Sequence, residues 1–297
     1  MAIFEGAGVA LVTPMNDDGS VNYTELQKLT EWQVQEGVDA IIACGTTGEA
    51  STLKDEEHIK VIETVVKQVA GRIPVIGGTG SNDTAHGIHL AKEAEKAGAD
   101  ALLVVTPYYN KATKSSLVAH YEAICSQTSL PVILYSIAGR TGLNLTPEMV
   151  ARLKEIPNVQ GIKEASGDIS QIVAIATLVD DNFALYSGND DQVLPLLSVG
   201  GSGVISTIAN LLPKETSTMV HDYLEGNWQA AQKTQLAQLP LINAIFAEVN
   251  PVPVKAGVSL LGKCSMNYRL PLGVPEASTL ANLKKAMKDY GLLAKEA

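Results

Sequence analysis

Short unbroken apolar runs alternate with longer segments of helical spacing along most of the chain. The runs are Gly8–Thr13, Ala40–Cys44, Pro74–Gly77, Ala101–Thr106, Pro131–Tyr135, Val159–Lys163, Ala184–Ser187 and Gly203–Ser206. Continuous apolar runs suit strands covered on both faces, as in a parallel sheet. Between them, Tyr23–Glu36, Asp55–Ala70 and Thr84–Ala97 carry apolar stripes at helical spacing. Asp83 or Thr84 can cap the third of these, and Thr146-Pro147-Glu148 supplies a cap, a first-turn proline and an acid. Gly37, Gly71 and Gly98 stand where the three helices should stop. Eight strand–helix units in about 220 residues predict an α/β fold, a closed (β/α)8 TIM barrel, with an open doubly wound sheet as the alternative. After Lys214 the pattern turns helical, over Glu215–Tyr223, Trp228–Phe246, Val254–Leu261 and Ser278–Tyr290. One of these closes the barrel and the rest form a C-terminal helical appendage, giving a barrel over 1–224 and a helical domain over 225–297.

Composition narrows the function. The 297 residues include 22 Lys plus Arg and 32 Asp plus Glu, a net charge of −10. That balance lacks the cationic excess of phosphate-backbone binding, so no nucleic-acid partner is expected. No apolar stretch reaches membrane-spanning length, and the first residues do not form a leader. The three cysteines, Cys44, Cys125 and Cys264, are far apart and show no Cys-x-x-Cys spacing. Reduced thiols and a cytoplasmic location follow.

In a barrel of this kind, chemistry sits at the carboxyl ends of the strands. This filter rejects Gly200-Gly201-Ser202-Gly203, which resembles a phosphate cradle but precedes its strand; a tight helix-to-strand turn fits it better. It selects Lys163, at the end of a buried strand. Burial disfavours the ammonium and frees a nucleophilic amine that can condense with a carbonyl to form an imine. An ion pair with Glu164 is the structural alternative. Tyr135 ends the neighbouring strand and can shuttle protons, or serve as a core tyrosine. Thr46 and Thr47, in a glycine-flanked turn that should open a helix, offer hydroxyls and free N–H groups to a small carboxylate, or form an ordinary cap. Arg140, in the loop after the fifth strand, can grip a carboxylate bidentately or stand solvated. Metal binding is not expected. His86 and His89 are three apart, but no acid is placed to complete a motif, and the histidines read mostly as surface helix residues. Asp190-Asp191 read as cap and turn acids.

Together these residues form a recognisable set. Gly45-Thr46-Thr47-Gly48-Glu49, Thr106-Pro107-Tyr108-Tyr109-Asn110, Tyr135, Gly139-Arg140-Thr141-Gly142, Gly161 to Gly167 and Asn250-Pro251-Val252-Pro253-Val254-Lys255 closely resemble the dihydrodipicolinate synthase family. That family lies within the lysine aldolases that include N-acetylneuraminate lyase, and the resemblance runs over essentially the whole chain. It implies a homotetramer, a dimer of dimers, with no cofactor beyond a covalent imine of pyruvate on Lys163. The enamine then attacks L-aspartate-4-semialdehyde and the product cyclises to 4-hydroxy-tetrahydrodipicolinate, in lysine biosynthesis. By motif position Tyr135, Thr46 and Tyr109 form a proton relay, Tyr109 reaching in from a neighbouring subunit. Thr46 and Thr47 hold the pyruvate carboxylate, Arg140 holds the semialdehyde, and Gly188 and Ile205 line the pocket through their backbone. A sugar-acid aldolase is the alternative activity, against which Arg140 argues.

Two departures from the family pattern stand out. Ser136-Ile137-Ala138 replaces the usual Asn-x-Pro, which frees a backbone angle and restores an N–H donor, leaving the Arg140 loop more mobile or differently anchored. The family's lysine effector site corresponds to Ala50, Ser51, Asp55, His58, Asn82, His86 and Tyr108. There His86 replaces a glutamate, and an imidazole cannot grip an ammonium as a carboxylate does.

Overall fold

The computed structural model describes residues 2–294. Eight parallel strands, each hydrogen-bonded to the next and the last to the first, close a barrel. They are β1 (Gly6–Ala10), β2 (Ala40–Ala43), β3 (Val75–Gly78), β4 (Ala101–Val105), β5 (Val132–Ser136), β6 (Val159–Glu164), β7 (Ala184–Ser187) and β8 (Gly203–Ser206). The helices between them are α1 (Tyr23–Gln35), α2 (Asp55–Val69), α3 (Thr84–Lys96), α4 (Lys114–Cys125), the single-turn α5 (Ala138–Thr141), α6 (Pro147–Lys154), α7 (Ile169–Ala176) and α8 (Val193–Leu197). After β8 come α9 (Pro213–Leu224), α10 (Trp228–Ile245), α11 (Val252–Leu260) and α12 (Ala277–Tyr290). The closed barrel, not the open sheet, is the outcome.

Alternation along the strands separates two cores. Inward-facing Ala40, Ile42, Ile76, Ala101, Leu103, Ile133, Tyr135, Ala184, Tyr186 and Ile205 fill the barrel. Phe4, just before β1, closes its lower end by stacking on Tyr186 at 4.5 Å, and the Tyr186 hydroxyl donates to the Phe4 carbonyl. Outward-facing Ile41, Val75, Leu102, Leu134, Ile162 and Leu185 meet the buried stripes of the helices, among them Leu26, Leu29, Ile62, Val65, Ala91, Tyr121, Leu153 and Ile175. Burying one such side chain contributes about 1.5–3 kcal/mol. The helix that closes the barrel is α9, whose Met219 and Val220 pack with Ala7 of β1 and Val204 of β8.

The expected boundaries shift by up to three residues. The first strand ends at Ala10, because beyond Leu11 the chain leaves the ladder and the Val12 N–H turns to Asn210 Oδ1. Helix α11 begins at Val252, since Pro253 falls in its first turn, where a missing N–H costs nothing. Asp83 caps α3, accepting from the Ala85 N–H. Gly37, Gly71 and Gly98 all take positive φ just past their helices, which glycine reaches without steric cost. Gly200 and Gly201 form the expected tight turn below β8, their N–H groups donating to Leu197 and Leu196 carbonyls. Among the described residues no helix is long and apolar enough to cross a membrane.

Candidate active site

Lys163 faces the barrel interior near the end of β6, in register with Tyr135 on β5 and Tyr186 on β7. It is only 5 % exposed, and its ammonium nitrogen lies 4.3 Å from the centre of the Tyr135 ring. The Glu164 ion pair does not form. Glu164 is the next residue and points to the helix side, where Oε1 accepts from the Ser166 N–H and Oε2 from Gln171 Nε2. Burial raises its pKa. Lys163 is thus held among apolar groups and an aromatic face.

Three neighbours surround that position. A Cβ at Gly188 would sit 2.6 Å from Ala165 Cβ and 3.1 Å from Lys163 Cε, so only glycine lets β6 and the chain after β7 close on the lysine stem. Ile205 packs in the same inner layer as Tyr135. Asp190, just after β7, is buried. Burial raises its pKa, and three donors together with the Lys163 charge oppose the rise. Those donors are Ser206 Oγ and the N–H groups of Thr207 and Ile208. Contrary to what its sequence position suggests, Asp190 does not cap its own turn but accepts from the chain leaving β8, and this pairing and its electrostatic link to Lys163 arise only from the fold.

The threonine turn follows β2. It opens a single 3-10 turn over Ala50–Thr52, and α2 starts only at Asp55, so the expectation that it opens a helix is corrected. The cause is Glu49, which adopts φ 56° and breaks the helical path. The turn's hydrogen bonds start from the N–H groups of Gly48, Glu49 and Ala50, leaving those of Thr46 and Thr47 outside them. Thr46 is half-buried on the cavity wall; Thr47 is buried and accepts from Asn250 Nδ2 at 2.9 Å.

Arg140 stands on α5 rather than in an open loop. This turn is closed by Gly142, whose N–H donates to the Ala138 carbonyl. Ser136 anchors the returning chain by accepting from the Leu145 N–H, so the altered Ser136-Ile137-Ala138 stretch has its own anchorage. Arg140 itself donates from Nη2 to the Asn250 carbonyl at 3.0 Å.

A cavity of about 300 Å³ is lined by Thr46, Tyr135, Ile137, Arg140 and Thr141, whereas Lys163, Thr47, Gly188 and Ile205 do not line it. Ala50, Ser51, Asp55, His58, His86 and Tyr108 line the same cavity, so Thr46, Tyr135 and Arg140 are continuous with six of the seven effector positions within one chain. Asn82 does not line it; its carbonyl accepts from Asn110 Nδ2. Tyr109 is not gathered with Tyr135 either: it is 88 % exposed, with φ 75°.

The histidines correct the sequence reading. His58 and His120 are buried, not surface residues. His58 Nε2 donates to the Gly78 carbonyl, and burial holds its pKa below the usual value. An acid does stand beside His86 and His89, but it comes from α2: Asp55 lies 3.0 Å from His86 and 3.7 Å from His89. Ser81 Oγ bonds the other His86 nitrogen. Among the described residues no cluster of His, Cys, Asp and Glu could hold a metal ion. The three cysteines are free and buried, and burial pushes the Cys125 and Cys264 thiols up to about 12.

Residues 3–290 match the profile of the Dihydrodipicolinate synthetase family. The chain belongs to this family. It is 49 % identical over 296 residues to the 4-hydroxy-tetrahydrodipicolinate synthase of Caldicellulosiruptor saccharolyticus, covering 100 % of both chains. It is also similar to the solved structure of the chloride-inhibited dihydrodipicolinate synthase from Acinetobacter baumannii complexed with pyruvate, at 42 % identity and TM-score 0.95, covering 97 % of this chain and 99 % of that one. The dihydrodipicolinate synthase from Cyanidioschyzon merolae with lysine bound is 40 % identical with TM-score 0.96, over 99 % and 100 % of the two chains.

Two groups of the family motifs escaped functional notice in the sequence. Asn250 reaches both Thr47 and Arg140. Glu49 and Lys255, both fully buried, form an ion pair at 2.6 Å. The signal was present, since a lysine in an otherwise apolar helix needs a buried partner, but its partner lies 206 residues away.

Proposed function

We propose that this chain condenses pyruvate with L-aspartate-4-semialdehyde to 4-hydroxy-tetrahydrodipicolinate through an imine on Lys163. The observation that carries the reading is a buried lysine that makes no ion pair among the described residues, set against Tyr135 and the glycine notch at 188. The Lys163 amine attacks the pyruvate ketone carbon, and water leaves as the imine forms. Loss of a methyl proton gives the enamine, whose carbon attacks the aldehyde carbon of the second substrate. The product's amine then displaces Lys163 and closes the ring. Tyr135 and Thr46 move protons in these steps, with Tyr109 entering from a neighbouring subunit of a homotetramer. The Thr46 and Thr47 hydroxyls and their N–H groups hold the pyruvate carboxylate. Arg140 holds the carboxylate of the semialdehyde, a demand that a polyhydroxylated sugar aldehyde does not make. Because the chain carries −10, attraction of both anions is local, supplied by Arg140, Lys163 and the turn. No cofactor takes part, the chain works in the cytoplasm, and the catalytic barrel of 1–224 is followed by the helical domain of 225–297, of which residues 1 and 295–297 lie outside the described residues.

Incubation with pyruvate and borohydride, followed by intact mass and peptide mapping, tests the reading. A reduced pyruvate adduct on Lys163 is expected; its absence refutes the mechanism. Adding candidate aldehydes under turnover conditions then identifies the second substrate. Lysine is expected to inhibit weakly or not at all, because His86 is tied to Asp55 and Ser81 and offers no carboxylate to an ammonium. Half-inhibition at sub-millimolar lysine contradicts this.

A further inference from the structure

The segment from Asn250 to Lys255 touches both carboxylate-binding parts of the site without belonging to either. Asn250 is buried. Its side chain donates from Nδ2 to Thr47 Oγ1 at 2.9 Å, and its backbone carbonyl accepts from Arg140 Nη2 at 3.0 Å. Its Oδ1 is enclosed with no partner among the described residues. The segment is itself pinned. Five residues on, Lys255 pairs with Glu49 at the far end of the threonine turn, both side chains fully buried. The Tyr268 hydroxyl donates to the Val252 carbonyl at 2.7 Å.

A threonine hydroxyl has one proton and two lone pairs. When one lone pair accepts from an amide, the proton is free to be donated elsewhere. A hydroxyl that must hold a carboxylate needs that polarity. Likewise, a guanidinium with one N–H spent on a fixed carbonyl is held in orientation, with its remaining donors available to an anion.

We propose that Asn250 is a positioning residue that sets Thr47 as a hydrogen-bond donor to the pyruvate carboxylate while its carbonyl aims Arg140 at the second substrate. This rests on the synthase reading of the site. The two functions reside in different atoms, so substitution separates them. Asn250→Ala removes the amide but keeps the carbonyl: the KM for pyruvate rises about tenfold, the loss of one hydrogen bond's orientation, while kcat and the KM for the semialdehyde stay within about threefold. Asn250→Asp is nearly isosteric but can only accept, so it captures the Thr47 proton and adds a negative charge near pyruvate. Its pyruvate KM rises further, by about a hundredfold.

The test is steady-state kinetics on both variants and on Thr47→Val and Thr47→Val/Asn250→Ala, with melting temperatures recorded. In the Thr47→Val background, Asn250→Ala is expected to add nothing to the pyruvate KM, because the hydroxyl it orients is gone. A purely structural role would lower kcat with both substrates and add to the Thr47→Val effect. That additivity, an unchanged pyruvate KM in Asn250→Ala, or a wild-type KM in Asn250→Asp overturns the proposal. Should Asn250→Ala not fold, the nearly isosteric Asn250→Asp carries the same decision. Borohydride trapping of pyruvate on the wild-type protein separates the two failures. With no adduct the synthase reading falls and this proposal with it; with an adduct, the kinetic results overturn the positioning role alone.

Discussion

Replacing Gly188 by alanine tests whether the lysine is held by close packing rather than by charge. The new Cβ would lie 2.6 Å from Ala165 Cβ, 3.1 Å from the Glu164 carbonyl oxygen and 3.1 Å from Lys163 Cε. Carbon atoms rest at about 3.5–4.0 Å, so roughly 1 Å must be found at Ala165 and rather less at the lysine. Ala165 has little room to give, because its N–H is bonded to the Ser136 carbonyl, and the Gly188 N–H is bonded to the Glu164 carbonyl at 2.7 Å. The compliant partner is the methylene stem of Lys163, so the amine moves. Overpacking of this kind costs about 1–3 kcal/mol. Each kcal/mol lowers the melting temperature of a domain of this size by roughly 2–4 °C. The lysine stem must give by a few tenths of an ångström, so imine formation slows by up to about tenfold, short of the roughly hundredfold loss of a 1 Å misplacement. The assay is the rate of borohydride-trapped pyruvate adduct on Lys163, followed by mass, alongside kcat and thermal melting. Gly139→Ala is the control, since its new methyl meets no atom within 4 Å. If Gly188→Ala labels and melts like the wild type, Lys163 is not held by this contact and the packing argument fails.

Three further outcomes follow from other contacts. Lys255→Met strands the buried Glu49 carboxylate and should cost about 3–5 kcal/mol in denaturant unfolding, and Lys255→Met/Glu49→Leu should recover much of it; a single variant within about 1 kcal/mol of wild type refutes the pair's structural role. Arg140→Ala should lower kcat/KM for the semialdehyde by about 10- to 150-fold, the value of charge-assisted hydrogen bonds, with adduct formation on Lys163 largely kept; equal loss of adduct would show that Arg140 serves the first substrate. Burial holds His58 and His120 below their usual value of 6.5. The unfolded chain therefore takes up protons first as pH falls, and stability present above pH 6.5 is lost progressively below it. The melting temperature should drop between pH 7 and 5, and His58→Gln/His120→Gln should flatten that slope; an unchanged slope rules these histidines out as its source.

The barrel and the buried lysine at the end of its sixth strand were legible in the chain because both depend on local order. Apolar runs covered on both sides have a period that can be read directly, and a lysine ending such a run has nowhere polar to go. Even the rejected glycine cradle followed from counting which end of a strand it occupied. Lys163, Tyr135, the threonine pair and Arg140 all appear at strand ends where the fold places chemistry. Partnership was not legible. Asp55 reaches His86 across two helices, Asp190 after β7 accepts from the chain leaving β8, and Glu49 meets Lys255 across 206 residues. The burial of His58 and the opening of a 3-10 turn by Glu49 likewise depend on neighbours far away in the chain. The physical reason is the range of the forces. Hydrophobic periodicity and turn preference act over a few residues, so the sequence by itself determined the elements and the end of the barrel that carries the site. Hydrogen bonds and buried charges are decided by which groups the closed barrel leaves facing each other. Only the closed fold brings Asn250 against both Thr47 and Arg140.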